Sequence, residues 1–68
     1  NMDMVEVLIG QVWQNIKDEQ KVIIKDVTNK IVVAQHLASD SIFFDTIFNF
    51  TANYRLVDKN YFTANVKA

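Results

Sequence analysis

The sequence predicts an α+β domain: an N-terminal helix packed on a mostly antiparallel four-stranded sheet of two β-hairpins, in the order α-β-β-(short α)-β-β. Three observations carry that expectation. Apolar residues near the N-terminus recur at steps of three and four, the spacing of a helical stripe. Two stretches in the middle of the chain are rich in β-branched residues and flank a short polar turn. The last third repeats itself, with Phe50-Thr51-Ala52-Asn53-Tyr54-Arg55 echoed by Phe62-Thr63-Ala64-Asn65-Val66-Lys67.

The first element is a helix over 3–19. Val5, Leu8, Ile9, Val12, Trp13 and Ile16 form its stripe. Asp3 and Glu6 sit at its positive end and Lys17 at its negative end. Gly10 costs about 1 kcal/mol in mid-helix relative to Ala, and signals either a close approach to the sheet or a local irregularity. A strand over 4–9 is the alternative, disfavoured because the apolar positions there do not alternate.

Residues 21–37 read as a hairpin about Val27-Thr28-Asn29. A three-residue loop places Asp26 opposite Lys30, Ile24 opposite Val32 and Val22 opposite Ala34, with opposite charges at the mouth. Ile23, Ile31 and Val33 then fall on the other face, which calls for a second cover or a subunit contact.

Residues 38–49 admit two readings. Ser39-Asp40-Ser41 is a candidate cap for a short helix carrying Ile42, Phe43, Phe44, Ile47 and Phe48. Alternatively, Ile42, Phe44, Thr46, Phe48 and Phe50 extend a strand backwards, to a length far beyond the usual 5–6 residues. The reading adopted is a helical turn over 39–45 and a strand from about Ile47. The closing hairpin turns at Asp58-Lys59-Asn60. It pairs Leu56 with Phe62, Tyr54 with Ala64 and Ala52 with Val66 on one face. Thr51, Asn53, Arg55, Val57, Tyr61, Thr63, Asn65 and Lys67 occupy the other.

Composition bounds the function. The chain has 68 residues and is read as one domain, 2–68, with Asn1 ahead of Met2 taken as a tag remnant. A chain of this size buries only about 60% of the surface it exposes when unfolded, so its margin is thin. There is no Cys, which excludes disulfides, cysteine zinc sites and thiol catalysis, and half the residues are apolar. Seven basic against eight acidic residues lack the basic excess of a nucleic-acid binder. No apolar run approaches the roughly 18 residues that span a bilayer, and no secretory leader is recognisable. The expected location is the cytoplasm, with no membrane partner.

His36 is the sole candidate general base or neutral metal ligand, with no nucleophile beside it. A strand-end histidine of structural role is the ordinary reading. Asp18, Glu19, Asp40 and Asp45 show no calcium-loop spacing and read as loop carboxylates. One glycine makes no phosphate-cradling loop. Asn49-Phe50-Thr51 matches the glycosylation sequon by chance. No catalytic motif is recognisable, and the expectation is a non-enzyme without cofactor or metal. Seven of the eight aromatic residues fall at or after Phe43. Phe43 and Phe44 are adjacent, so a regular element buries one more readily than the other.

In layout the chain resembles small uncharacterised α/β proteins of phages and mobile elements of Gram-positive bacteria. The residues behind the resemblance are the opening helix 4–16, the Lys21-Val22-Ile23-Ile24-Lys25-Asp26 and Ile31-Val32-Val33 hairpin, and the closing Asp58-Lys59-Asn60 turn. It implies no activity and no functional residues. The expected function is a small non-enzymatic protein-interaction module, a homodimer that also binds another protein. Its expected contacts are Trp13, Phe43, Phe44 and Tyr61, because one helix cannot cover both faces of so apolar a sheet. The alternative is weak single-stranded nucleic-acid binding on the polar face of the closing hairpin, through Arg55, Lys59 and Lys67.

Overall fold

Period-two alternation, rather than helical spacing, governs most of the regular structure among the described residues. The computed structural model describes residues 6–59. It holds strands β1 (Val12–Asn15), β2 (Lys21–Val27), β3 (Ile31–His36) and β4 (Ile42–Thr46), then helix α1 (Ile47–Asn53) and strand β5 (Tyr54–Asp58). The five strands form one sheet in the order β4-β3-β2-β1-β5, every neighbouring pair antiparallel. The fold is therefore mostly β, and the α+β expectation of a helix lying across two hairpins is overturned. The single helix among the described residues follows β4 instead of opening the chain.

The expected helix over 3–19 fails for three local reasons. Gly10 takes φ 93°, a conformation only glycine adopts cheaply and one no helix contains. Gln11 is buried, and its side chain fastens the neighbouring loop. Its Oε1 accepts from the Leu8 amide (2.7 Å) and from Trp13 Nε1 (2.9 Å), and its Nε2 donates to the Glu6 carbonyl (3.0 Å). Asn15 then closes the β1–β2 turn, its Oδ1 accepting from the Lys17 and Asp18 amides. Backbone bonds from Gly10 to Ile24 and from Ile24 to Gln11, each 2.9 Å, tie the segment to β2 rather than to itself.

The β2–β3 hairpin is present with a different register. Ile24 lies opposite Ala34 and Val22 opposite His36, two positions along from the three-residue-loop pairing. At Val22 and Ile24 the slip is even and keeps the side chains on their expected face, and Val22, Ile24, Val32 and Ala34 are all fully buried. Nearer the turn it is odd, and Asp26 falls opposite Val33 instead of Lys30. Thr28 sets the longer loop, donating its amide to the Ile31 carbonyl (2.8 Å) and accepting the Ile31 amide on Oγ1 (3.1 Å). A bulge between Ile24 and Asp26 absorbs the odd residue.

Strand and helix are exchanged in the next segment. Ser39, Asp40 and Ser41 form a turn, with Asp40 at φ 64°, and cap nothing. Residues 42–46 are the strand, and the helix begins where a strand was expected. Thr46 is its N-cap, its Oγ1 accepting from the Asn49 amide at 3.1 Å. Ile47 and Phe50, three apart, turn the same helical face inward, while residues 51–53 are exposed rather than paired in a strand. The first arm of the expected closing hairpin thus starts only at Tyr54. Within it Tyr54 and Leu56 pack on the core and Arg55 and Val57 are exposed, as alternation requires. The turn residue Asn60, Tyr61 and the second arm lie outside the described residues.

α1 joins the two edge strands, so it passes over one face of the sheet. Eight residue steps at about 1.5 Å per residue are shorter than the roughly 19 Å across four gaps of a flat sheet. The sheet must curl to close the difference. Phe43 on β4 and Tyr54 on β5 show the curl: their rings stack at 6.2 Å although three strands separate them in the sheet. Bulges in β2 and at Val12/Trp13 supply the bend. Phe50 fills the hollow, edge-on to Trp13 at 5.4 Å and stacked on Tyr54 at 4.3 Å.

Candidate interaction surface

Curling the sheet around Phe50 leaves its convex side and its β4 edge outward. On β4, alternation sends Phe43 into the hollow and Ile42 and Phe44 out. Phe44 is 74% exposed and Ile42 63%. Phe48, in the first turn of α1, is 86% exposed.

The backbone of β4 is half used. His36 donates to the Ser41 carbonyl and Ile47 to the Lys30 carbonyl, each at 2.8 Å. With the observed register, residues 41, 43, 45 and 47 therefore bond β3, and residues 42, 44 and 46 point their amides and carbonyls to the open edge. Asp45 closes one of those: its Oδ1 accepts the Thr46 amide at 2.8 Å, while its Oδ2 takes the Asn49 side chain at 2.8 Å. The Ile42 and Phe44 amides have no partner among the described residues.

The residues expected to make contacts are dispersed. Trp13 is 2% exposed and belongs to the core, where Phe50 and Gln11 hold it. Phe43 is half-buried between Tyr54 and His36. Of the three that are described, Phe44 alone is displayed; Tyr61 lies outside the described residues. Ile42 and Phe48 are not among the expected contacts. Ile42 shares strand parity with Phe44, a signal hidden by reading 39–45 as helical, and Phe48 becomes outward only once Ile47 and Phe50 define the inner face of α1.

Of the cations considered for nucleic acid, Arg55 is exposed with its Nη2 donating to Gln14 Oε1 at 2.6 Å, Lys59 is exposed just after β5, and Lys67 lies outside the described residues. The described structure brings no further cation of that set beside them. His36 turns toward the hollow, its ring 5.1 Å from Phe43, and its Nδ1 has no hydrogen-bond partner. The Asp18 carboxylate serves a turn, its Oδ1 accepting the Gln20 amide, while Asp40 contributes its backbone amide, which donates to the His36 carbonyl. Among the described residues no three of His, Cys, Asp and Glu gather as a metal site. An open depression of about 420 Å³ is lined by Glu19, Gln20, Lys21, Leu37 and Ala38. It presents two charged side chains and no convergent polar group of the kind that fixes a small ligand. No helix among the described residues is long and apolar enough to cross a membrane.

No protein-family model, curated protein or solved structure matches the chain. The class defined by fold and surface among the described residues is that of a small, curled, antiparallel sheet with an apolar edge at β4.

Proposed function

We propose that the protein is a small non-enzymatic interaction module that works by binding protein, first of all a second copy of itself. The observation that carries the reading is the display of Ile42, Phe44 and Phe48 on the strand–helix junction 42–48, where three large apolar side chains stand in water. Large apolar side chains exposed close together, as Ile42 and Phe44 are on one face of β4, mark contact sites, and aromatic residues dominate contact energies. The small core adds a motive, since short chains commonly gain stability from a partner. Cytoplasmic action and a bacterial or phage origin are part of the proposal; the cysteine-free composition suits the first and the hairpin layout prompts the second.

Sedimentation equilibrium at micromolar concentration tests the reading. A dimer, or a reversible monomer–dimer equilibrium, is expected. A monomer across the whole range removes the homo-oligomer. Retention of single-stranded RNA or DNA on a filter at low salt would instead favour the Arg55 and Lys59 surface, and none is expected from a balanced charge.

A further inference from the structure

We infer that two copies join edge to edge through β4, antiparallel, in the register that sets Ile42 of one protomer opposite Phe44 of its partner. This deepens the homo-oligomeric reading and rests on it, adding the surface and the pairing.

Backbone supply comes first. Each β4 edge offers two amides with no partner among the described residues, at Ile42 and Phe44, together with the carbonyls of the same residues. An antiparallel pairing with its two-fold axis at Phe43 uses all of them. The Ile42 amide donates to the partner's Phe44 carbonyl, the Phe44 amide to the partner's Ile42 carbonyl, and the symmetry doubles both. The Thr46 amide stays with Asp45, so no existing bond is broken.

Side chains select the same register. On the convex face Ile42 meets Phe44 of the other protomer twice, apolar on apolar. On the inner face Ser41 falls opposite Asp45 of the other protomer, a hydroxyl donor facing a carboxylate. Moving the axis to Phe44 would set Ile42 against Thr46 and the aromatic Phe43 against charged Asp45, and would strip the Thr46 amide from its carboxylate. That alternative gains no apolar pair beyond Phe44 with itself.

Among the described residues nothing covers the edge either. α1 leaves β4 at Thr46 and crosses the concave face toward β5, away from the Ile42–Phe44 edge. An edge strand normally carries a charge, a proline or a bulge against pairing. β4 carries one charge, Asp45, and that carboxylate is occupied locally and sits on the inner face.

Two measurements on the full chain test the inference. The first is amide exchange by NMR at high and low protein concentration. The Ile42 and Phe44 amides are expected to be protected when concentrated and to exchange freely on dilution, while Phe43 and Asp45, bonded to β3, stay protected at both. The second uses the cysteine-free background. Ile42→Cys and Phe44→Cys, mixed under mild oxidation, are expected to form a disulfide-linked heterodimer, because facing residues of a bonded pair lie about 5.5 Å apart, within disulfide reach. Each variant alone is expected to stay largely uncrosslinked. Crosslinking of Phe44→Cys with itself overturns the register. A dimer whose Ile42 and Phe44 amides exchange freely overturns the β4 edge while sparing self-association. A monomer at every concentration overturns both.

Discussion

At the scale of single residues, Gln11 and Phe50 hold the molecule together in different ways. Gln11 is the one buried polar side chain among the described residues, and each of its polar atoms is bonded. Removing it leaves the Leu8 amide and the Trp13 indole N–H without acceptors, and a buried group left unsatisfied costs about 1–3 kcal/mol. Gln11→Ala should lower the urea midpoint accordingly and alter Trp13 fluorescence, because the indole loses its partner. Phe50 is fully buried between Trp13 and Tyr54. Phe50→Ala should cost about 3–5 kcal/mol, comparable with the whole stability of a domain of this size at roughly 0.05–0.15 kcal/mol per residue. The expected result is loss of the cooperative unfolding transition. A shift below about 1 kcal/mol, typical of a surface change, would place Phe50 outside the core.

At the scale of elements, alternation was legible and termination was not. The inward set Val22, Ile24, Val32 and Ala34 follows from period two alone, and so does the division of Tyr54 and Leu56 from Arg55 and Val57. The N-terminal segment misled because Val5, Leu8, Ile9, Val12, Trp13 and Ile16 match a helical stripe. Their spacing outweighed Gly10 and Asn15, whose preference for turns runs against a helix. Gly10→Ala separates the accounts by sign. In a helix the change would stabilise by about 1 kcal/mol. At φ 93° it should instead destabilise by more than about 1 kcal/mol, read from the urea midpoint. The junction at Thr46 misled differently: the cap is expected at Ser39-Asp40-Ser41, and the structure places it at Thr46. Thr46→Ala should cost about 1 kcal/mol and reduce the helical signal, whereas Ser41→Ala should leave it unchanged. Phe44 was visible as one of an adjacent pair, but its exposure depended on knowing that 42–46 is a strand.

At the scale of the whole molecule, one geometric necessity links fold to surface. A seven-residue helix joining the two outermost strands forces the sheet to curl, and the curl commits Phe43, Phe50 and Tyr54 to a single aromatic hollow. With that hollow filled, Phe44 and Ile42 have nowhere to go but the convex side of the open edge. The same necessity that builds the core thus leaves the apolar strand outside, and the proposed association would draw on the fold itself rather than on any added site. The direct test is sedimentation of Phe44→Lys beside the unaltered chain, with circular dichroism as the check on folding. The account predicts a variant with an unchanged spectrum that sediments as a monomer where the unaltered chain is dimeric. A folded variant that dimerises as strongly as the unaltered chain would contradict it.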